Sequence, residues 1–130
     1  MPSALRAGIP GVYRLRQAPL DELRGAFGAR LLTIECGDAD SVEALLETLG
    51  QALGAPSPVR NQDAGVELLS GRSWLSDGGG VVLVLRGGGR LRARDAGLAD
   101  ALAGIVLGAA VNWLRRPEGA PLFVLEEGVR

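Results

Sequence analysis

Between residues 40 and 53 apolar side chains recur at Val42, Leu45, Leu46, Leu49 and Leu53. These intervals place them on one stripe of an amphipathic helix, with Glu43 and Glu47 off it. Asp40-Ser41-Val42-Glu43 has capping-box spacing, with Asp40 as the expected cap. Gly54, followed by Pro56 and Pro58, ends the helix. A second helical pattern covers 61–70: Asn61 is the cap, Asp63 falls in the first turn, and Val66, Leu68 and Leu69 supply apolar contact. Gly65 weakens this helix by ~1 kcal/mol relative to Ala. A long helix is expected over 95–116, its Arg115-Arg116 end matched to the negative end of the helix dipole and stopped by Pro117. Pro19-Leu20-Asp21-Glu22-Leu23 opens a short helix that Gly28 stops.

Strand patterns lie between these helices. Residues 81–85 are five apolar residues in a row, three of them Val, a strand composition. Residues 30–36, mainly apolar with Thr33 and Ile34, read as a strand buried on both faces, and 121–125 is the closing strand. Residues 1–10, with Pro2, Gly8 and Pro10, read as an irregular lead-in, and 12–15 offers one further short strand. Helical crossovers of this length join parallel strands, so the pattern predicts an α/β fold with a small parallel sheet flanked by helices. A chain of 130 residues suits one domain, set at 11–130, able to bury a core without disulfides or metals.

Composition narrows the chemistry. The chain has no His and no Lys, so all 14 basic side chains are Arg, and it has one cysteine, Cys36. Ser-His-Asp and Cys-His catalysis, the usual zinc sites, Schiff bases and the Walker A lysine are all excluded. The expectation is a binding protein, with no enzyme activity and no metal or cofactor. Cys36 follows the apolar run Leu31-Leu32-Thr33-Ile34, where a reduced core thiol is expected. No basic-then-apolar signal opens the sequence, which makes the cytoplasm the expected location. The apolar stretch 101–114 is shorter than the ~20 residues that span a bilayer, so no membrane partner is expected. Gly104 and Gly108 within it read as close packing of a buried helix.

Charge is sorted into blocks. The net charge is −1, but residues 31–71 hold seven acids against Arg60 alone, a block of −6, while 72–116 carry +4. One-signed surfaces of this kind steer association. Two Gly-Gly-Gly runs, 78–80 and 87–89, flank the strand at 81–85, yet neither has a phosphate-loop spacing. Arg86, Arg90, Arg92 and Arg94 follow that strand on a connector. With a sequence pI near 5.4 and 4% aromatic residues, they read as a solvated loop, and no nucleic-acid partner is expected. Asp63 and Glu67 share one face of the 61–70 helix at i, i+4, where like charges weaken a helix and call for a partner.

The element order, the acidic segment and the pattern Asn61-Gln62-Asp63-Ala64 with Glu67-Leu68 resemble the barstar family of ribonuclease inhibitors. The resemblance extends through Trp74-Leu75, the strand at 81–85, the long helix and the closing strand, covering about residues 11–127. It implies a three-stranded parallel sheet and a non-enzymatic inhibitor or immunity protein. Such a protein, a monomer when free, plugs the basic active site of a ribonuclease or ribonuclease-like toxin with an acidic helix. By motif, Asp63 matches the first acidic contact, Glu67 the central inserting carboxylate (one methylene longer than the family's Asp), and Trp74 an aromatic that follows the helix. Asn61 opens the motif and completes the expected partner-binding set. Pro58-Val59 replace the family's aromatic-Gly pair, Val66 an aromatic between the acids, and Asn112-Trp113-Leu114 a further acidic contact. These departures keep open a diverged interaction module without ribonuclease inhibition.

Overall fold

A computed structural model describes residues 3–28, 31–71, 74, 81–116 and 121–127. The elements in order are α1 (Ser3–Arg6), β1 (Gly11–Leu15), α2 (Leu20–Phe27), β2 (Leu31–Glu35), α3 (Val42–Leu53), α4 (Gln62–Ser70), β3 (Val82–Arg86), α5 (Gly88–Arg94), α6 (Ala96–Leu114) and β4 (Leu122–Glu126). The sheet has four strands in the order β1-β4-β3-β2, every pair parallel. The expected three strands are thus joined by a fourth, β1, which pairs with β4 from Gly11 opposite Leu122 to Leu15 opposite Glu126. Its partner lies more than a hundred residues downstream, so no local pattern announces the pairing.

Alternation along the central strands divides the interior in two. Leu83 and Leu85 of β3, with Phe123 and Leu125 of β4, face a large core closed by α3, α4, α5 and α6. Val82 and Val84, with Leu122 and Val124, face a smaller core closed by Leu5 of α1, Leu23 of α2 and their neighbours. The right-handed rule for parallel crossovers accounts for this division. The chain steps from β2 to β3 to β4 in one direction, which keeps α3 to α6 on one face. The step from β1 to β2 runs the opposite way and puts α2 on the other. Within the lead-in, described from residue 3, the chain is less irregular than expected, since α1 forms a helical turn with Leu5 fully buried.

Four local expectations are corrected. Strand β2 is an edge strand with Thr33 and Glu35 exposed, because the small α1–α2 layer leaves its outer end uncovered. Ser41, not Asp40, caps α3, its side chain accepting from the Ala44 N–H at 3.1 Å. The Arg-rich connector is a helix, α5, entered through Gly87 at φ 87. A Cβ on Gly87 would come within 2.6 Å of Glu35 Oε1 and of the Gly37 Cα, so both the φ and the close approach require glycine. Helix α6 begins at Ala96 and reaches 19 residues, with a mean hydropathy of 1.6. That is long and apolar enough to cross a membrane, but Leu98, Leu102, Ile105, Val106, Ala109 and Trp113 bury its inner side in the domain. The run 78–80 lies outside the described residues.

Cys36 is fully buried, and burial first, then the neighbouring Glu35 charge, pushes its thiol from 9.0 to about 12. The folded thiol therefore keeps its proton where the unfolded one loses it. Ionisation of Cys36 adds no pH dependence to stability below about pH 8, but from about pH 9 towards 12 the unfolded chain binds fewer protons. Stability should then fall by up to ~1.4 kcal/mol per pH unit. Urea unfolding at rising pH checks this, with Cys36→Ala expected to flatten the decline. A thiol reagent at pH 8 should label Cys36 only as fast as the chain opens.

Candidate functional site

Helix α4 is held from four directions. At its start the Asn61 side-chain oxygen accepts the Ala64 N–H at 2.8 Å, a standard N-cap. In its middle Gly65 is buried against α3 and α6: a Cβ there would lie 2.9 Å from Leu46 Cδ2 and 3.4 Å from Ile105 Cδ1. Gly65 thus lets the helix approach closely, and its lower helix propensity is offset by packing. On the α6 side Gly108 receives Val66, whose Cγ2 would be 3.1 Å from a Cβ at that position. At its end Trp113 Nε1 donates to the Leu69 carbonyl at 2.8 Å, and Asn112 Nδ2 donates to Ser70 Oγ at 2.9 Å. Gly65→Val should destabilise the chain by about 1–3 kcal/mol through overpacking between Leu46 and Ile105, read as a lower urea midpoint with unchanged slope.

The outward face of α4 carries Gln62, Asp63 and Glu67, all exposed. Asp63 lies in the first turn, where the helix dipole favours an anion. Neither Asp63 nor Glu67 has an ion-pair partner among the described residues. On the flank, a groove of about 690 Å³ runs between α3 and the 55–60 segment, lined by Glu43, Glu47, Gln51, Pro56, Pro58 and Arg60 among others. Arg60, next to the Asn61 cap, is an exposed cation and is bonded to neither carboxylate.

The other arginines near the sheet end are engaged within the protein. Arg90 meets Glu35 at 2.6 Å and Asp38 at 3.4 Å, and Arg92 meets Asp100 at 3.1 Å. Arg94 donates to the Ala39 carbonyl at 2.7 Å and also to the Gly37 carbonyl. Arg86 Nε donates to Glu126 Oε2 at 2.9 Å, a hydrogen bond that raises the Arg86 pKa further. The four arginines of the 86–94 segment fasten α5 and β3 to the β2–α3 loop, α6 and β4. A phosphate backbone would have to displace those contacts.

Three of the four residues expected to contact a partner thus come together on one short helix: Asn61 as its cap, Asp63 and Glu67 on its open face. Trp74 stands apart. It is 8% exposed in the larger core, and its buried indole N–H has no partner among the described residues. A ring enclosed in the core has little surface to offer a partner. Sequence reasoning missed the roles of Ser70, Asn112 and Trp113, which tie the end of α4 to α6. One signal was available: Ser70 follows the inward-facing Leu69, and a buried hydroxyl there needs a partner. Among the described residues no group of three or more acidic or Cys side chains is placed to hold a metal ion.

A family model described as "Barstar (barnase inhibitor)" matches residues 29–126. No curated protein matches the chain. The matched span runs from β2 through α4, with its cap and its two outward carboxylates, to the last residue of β4. With most of its length so matched, the chain belongs to the barstar family.

Proposed function

We propose that this protein inhibits a basic ribonuclease by inserting the outward face of α4 into the enzyme's active site, as an immunity protein for the cell that makes the enzyme. The family is one of inhibitors, not enzymes. The observation that supports the reading best is the pair Asp63 and Glu67, exposed and without an ion-pair partner among the described residues, on a helix otherwise fixed at its cap, middle and end. A ribonuclease site is positively charged because it binds phosphates, and a carboxylate on an already fixed helix occupies a phosphate position at the ordering cost of its own side chain alone. The −6 block of residues 31–71 adds long-range attraction that speeds encounter and weakens with salt. Glu67 reaches one methylene further than Asp would, which suits a partner whose pocket is deeper than the one the family pattern fits.

Titration of RNA cleavage by barnase, and by basic ribonucleases encoded beside this chain's gene, tests the proposal. Stoichiometric loss of cleavage by at least one of them is the expected result. Full activity of all of them at saturating protein would leave α4 without this role and favour the interaction-module reading.

A further inference from the structure

Four large apolar side chains are exposed among the described residues, and three of them lie on α6: Leu107 at 45%, Val111 at 48% and Leu114 at 72%. Their spacing, four residues and then three, is that of a coiled-coil seam, and Gly104 continues it three residues earlier. No atom lies within 4 Å of where a Cβ on Gly104 would sit. The seam therefore has three knobs and one hole. Single exposed apolar residues are ordinary, but a continuous row along one helix marks a contact surface.

We propose that this seam pairs two copies of the chain through antiparallel α6 helices. A two-fold axis at the level of residue 109 sets Leu107 opposite the second copy's Val111. It also sets Leu114, the most exposed knob, opposite the second copy's Gly104, where there is open space. The same operation brings Asp100 within three residues, ~4.5 Å along the axis, of the second copy's Arg115. Arg115 is exposed and has no ion-pair partner among the described residues, while Asp100 keeps its 3.1 Å contact with Arg92 and is 72% exposed. A parallel pairing would instead set like charge against like charge at both ends. Knob, hole and charge are thus self-complementary under one two-fold operation, which an isologous interface requires. The free chain, expected from its sequence to be a monomer, is then in monomer–dimer equilibrium. A single helix pair is a small interface, so a weak midpoint of ~100 μM is expected.

Sedimentation of the full chain over a roughly hundredfold concentration range around that midpoint tests the pairing. The wild type should move from monomer to dimer mass, and Leu107→Glu should raise the dissociation constant at least about tenfold with an unchanged circular dichroism spectrum. Asp100→Arg and Arg115→Asp should each weaken the dimer, and the double variant should restore it. A monomer at every concentration, a dimer indifferent to Leu107→Glu, or a double variant that fails to recover would each overturn the proposal. So would a persistent monomer that binds phosphatidylcholine–phosphatidylglycerol vesicles through the same seam. No ribonuclease enters the assay, so its outcome is separate from that of the proposed inhibition.

Discussion

Glu67→Ala should weaken binding to the inhibited ribonuclease by about 2–5 kcal/mol, the range for truncating one member of a desolvated interfacial charge pair. Asp63→Ala should act in the same direction and by less, because its position in the first turn keeps it nearer water and the helix N-terminus. Much of the Glu67 loss arises in the partner, where cations that had displaced their water onto the carboxylate are left buried and unpaired. Glu67→Asp separates charge from reach: it keeps the anion, shortens it by one methylene, and should fall between wild type and Ala. Glu43→Ala on α3 is the control, since it removes one unit of the same acidic block away from the α4 face. It should change the association rate and its salt dependence while leaving dissociation nearly unaltered. Stopped-flow association and competition dissociation rates measure all four. Dissociation rates for Asp63→Ala and Glu67→Ala within a factor of about two of wild type would remove α4 from the contact.

Trp113→Ala should lower stability by about 3–5 kcal/mol, a large share of the 5–15 kcal/mol typical of a domain. The ring is 1% exposed in the larger core, its Nε1 donates to Leu69 at 2.8 Å, and the Arg116 guanidinium stacks 4.5 Å from its centroid. Truncation opens a cavity, orphans the Leu69 carbonyl and removes the stacking partner of Arg116. Trp113→Phe retains most of the volume but not the N–H, and should lose about 1–2 kcal/mol. Urea unfolding measures both. A loss below 1 kcal/mol for Trp113→Ala would mean that α6 does not anchor the end of α4. Because Trp113 reaches α4 and not the solvent, Trp113→Phe should also loosen ribonuclease binding slightly without removing any contact.

Much of this molecule could be read locally. Helices α3 and α4 lie within a residue or two of where the 3.6-residue apolar stripe and the cap put them, because those signals act within a single turn. The apolar, Val-rich run at 81–85 marked a strand, and β3 is buried along Val82 to Leu85. The i, i+4 carboxylates of α4 were equally legible, as helical geometry alone places Asp63 and Glu67 on one face. What local patterns did not show concerns partners distant in sequence. Strand β1 is held by β4, Trp74 is enclosed by a core assembled from α3 to α6, and the arginines of α5 find Glu35 at the end of β2 and Asp38 and the Gly37 carbonyl on the loop after it. Gly65 appeared as a weakness because only the crossing of α3 and α6 shows why a side chain does not fit there.

The sequence by itself determined that no His or Lys chemistry is available and that the acids gather in one block. It also determined that a capped helix presents two of those acids a turn apart. Periodicity and charge are properties of neighbours along the chain, and neighbours along the chain are what a sequence records. Only the tertiary structure decided which charges stay available. Four arginines that looked free are consumed by oxygens up to 57 residues away, while Asp63 and Glu67 on α4 find no counter-charge among the described residues. An ion pair depends on distance in space, and only the packed sheet and helices set that distance.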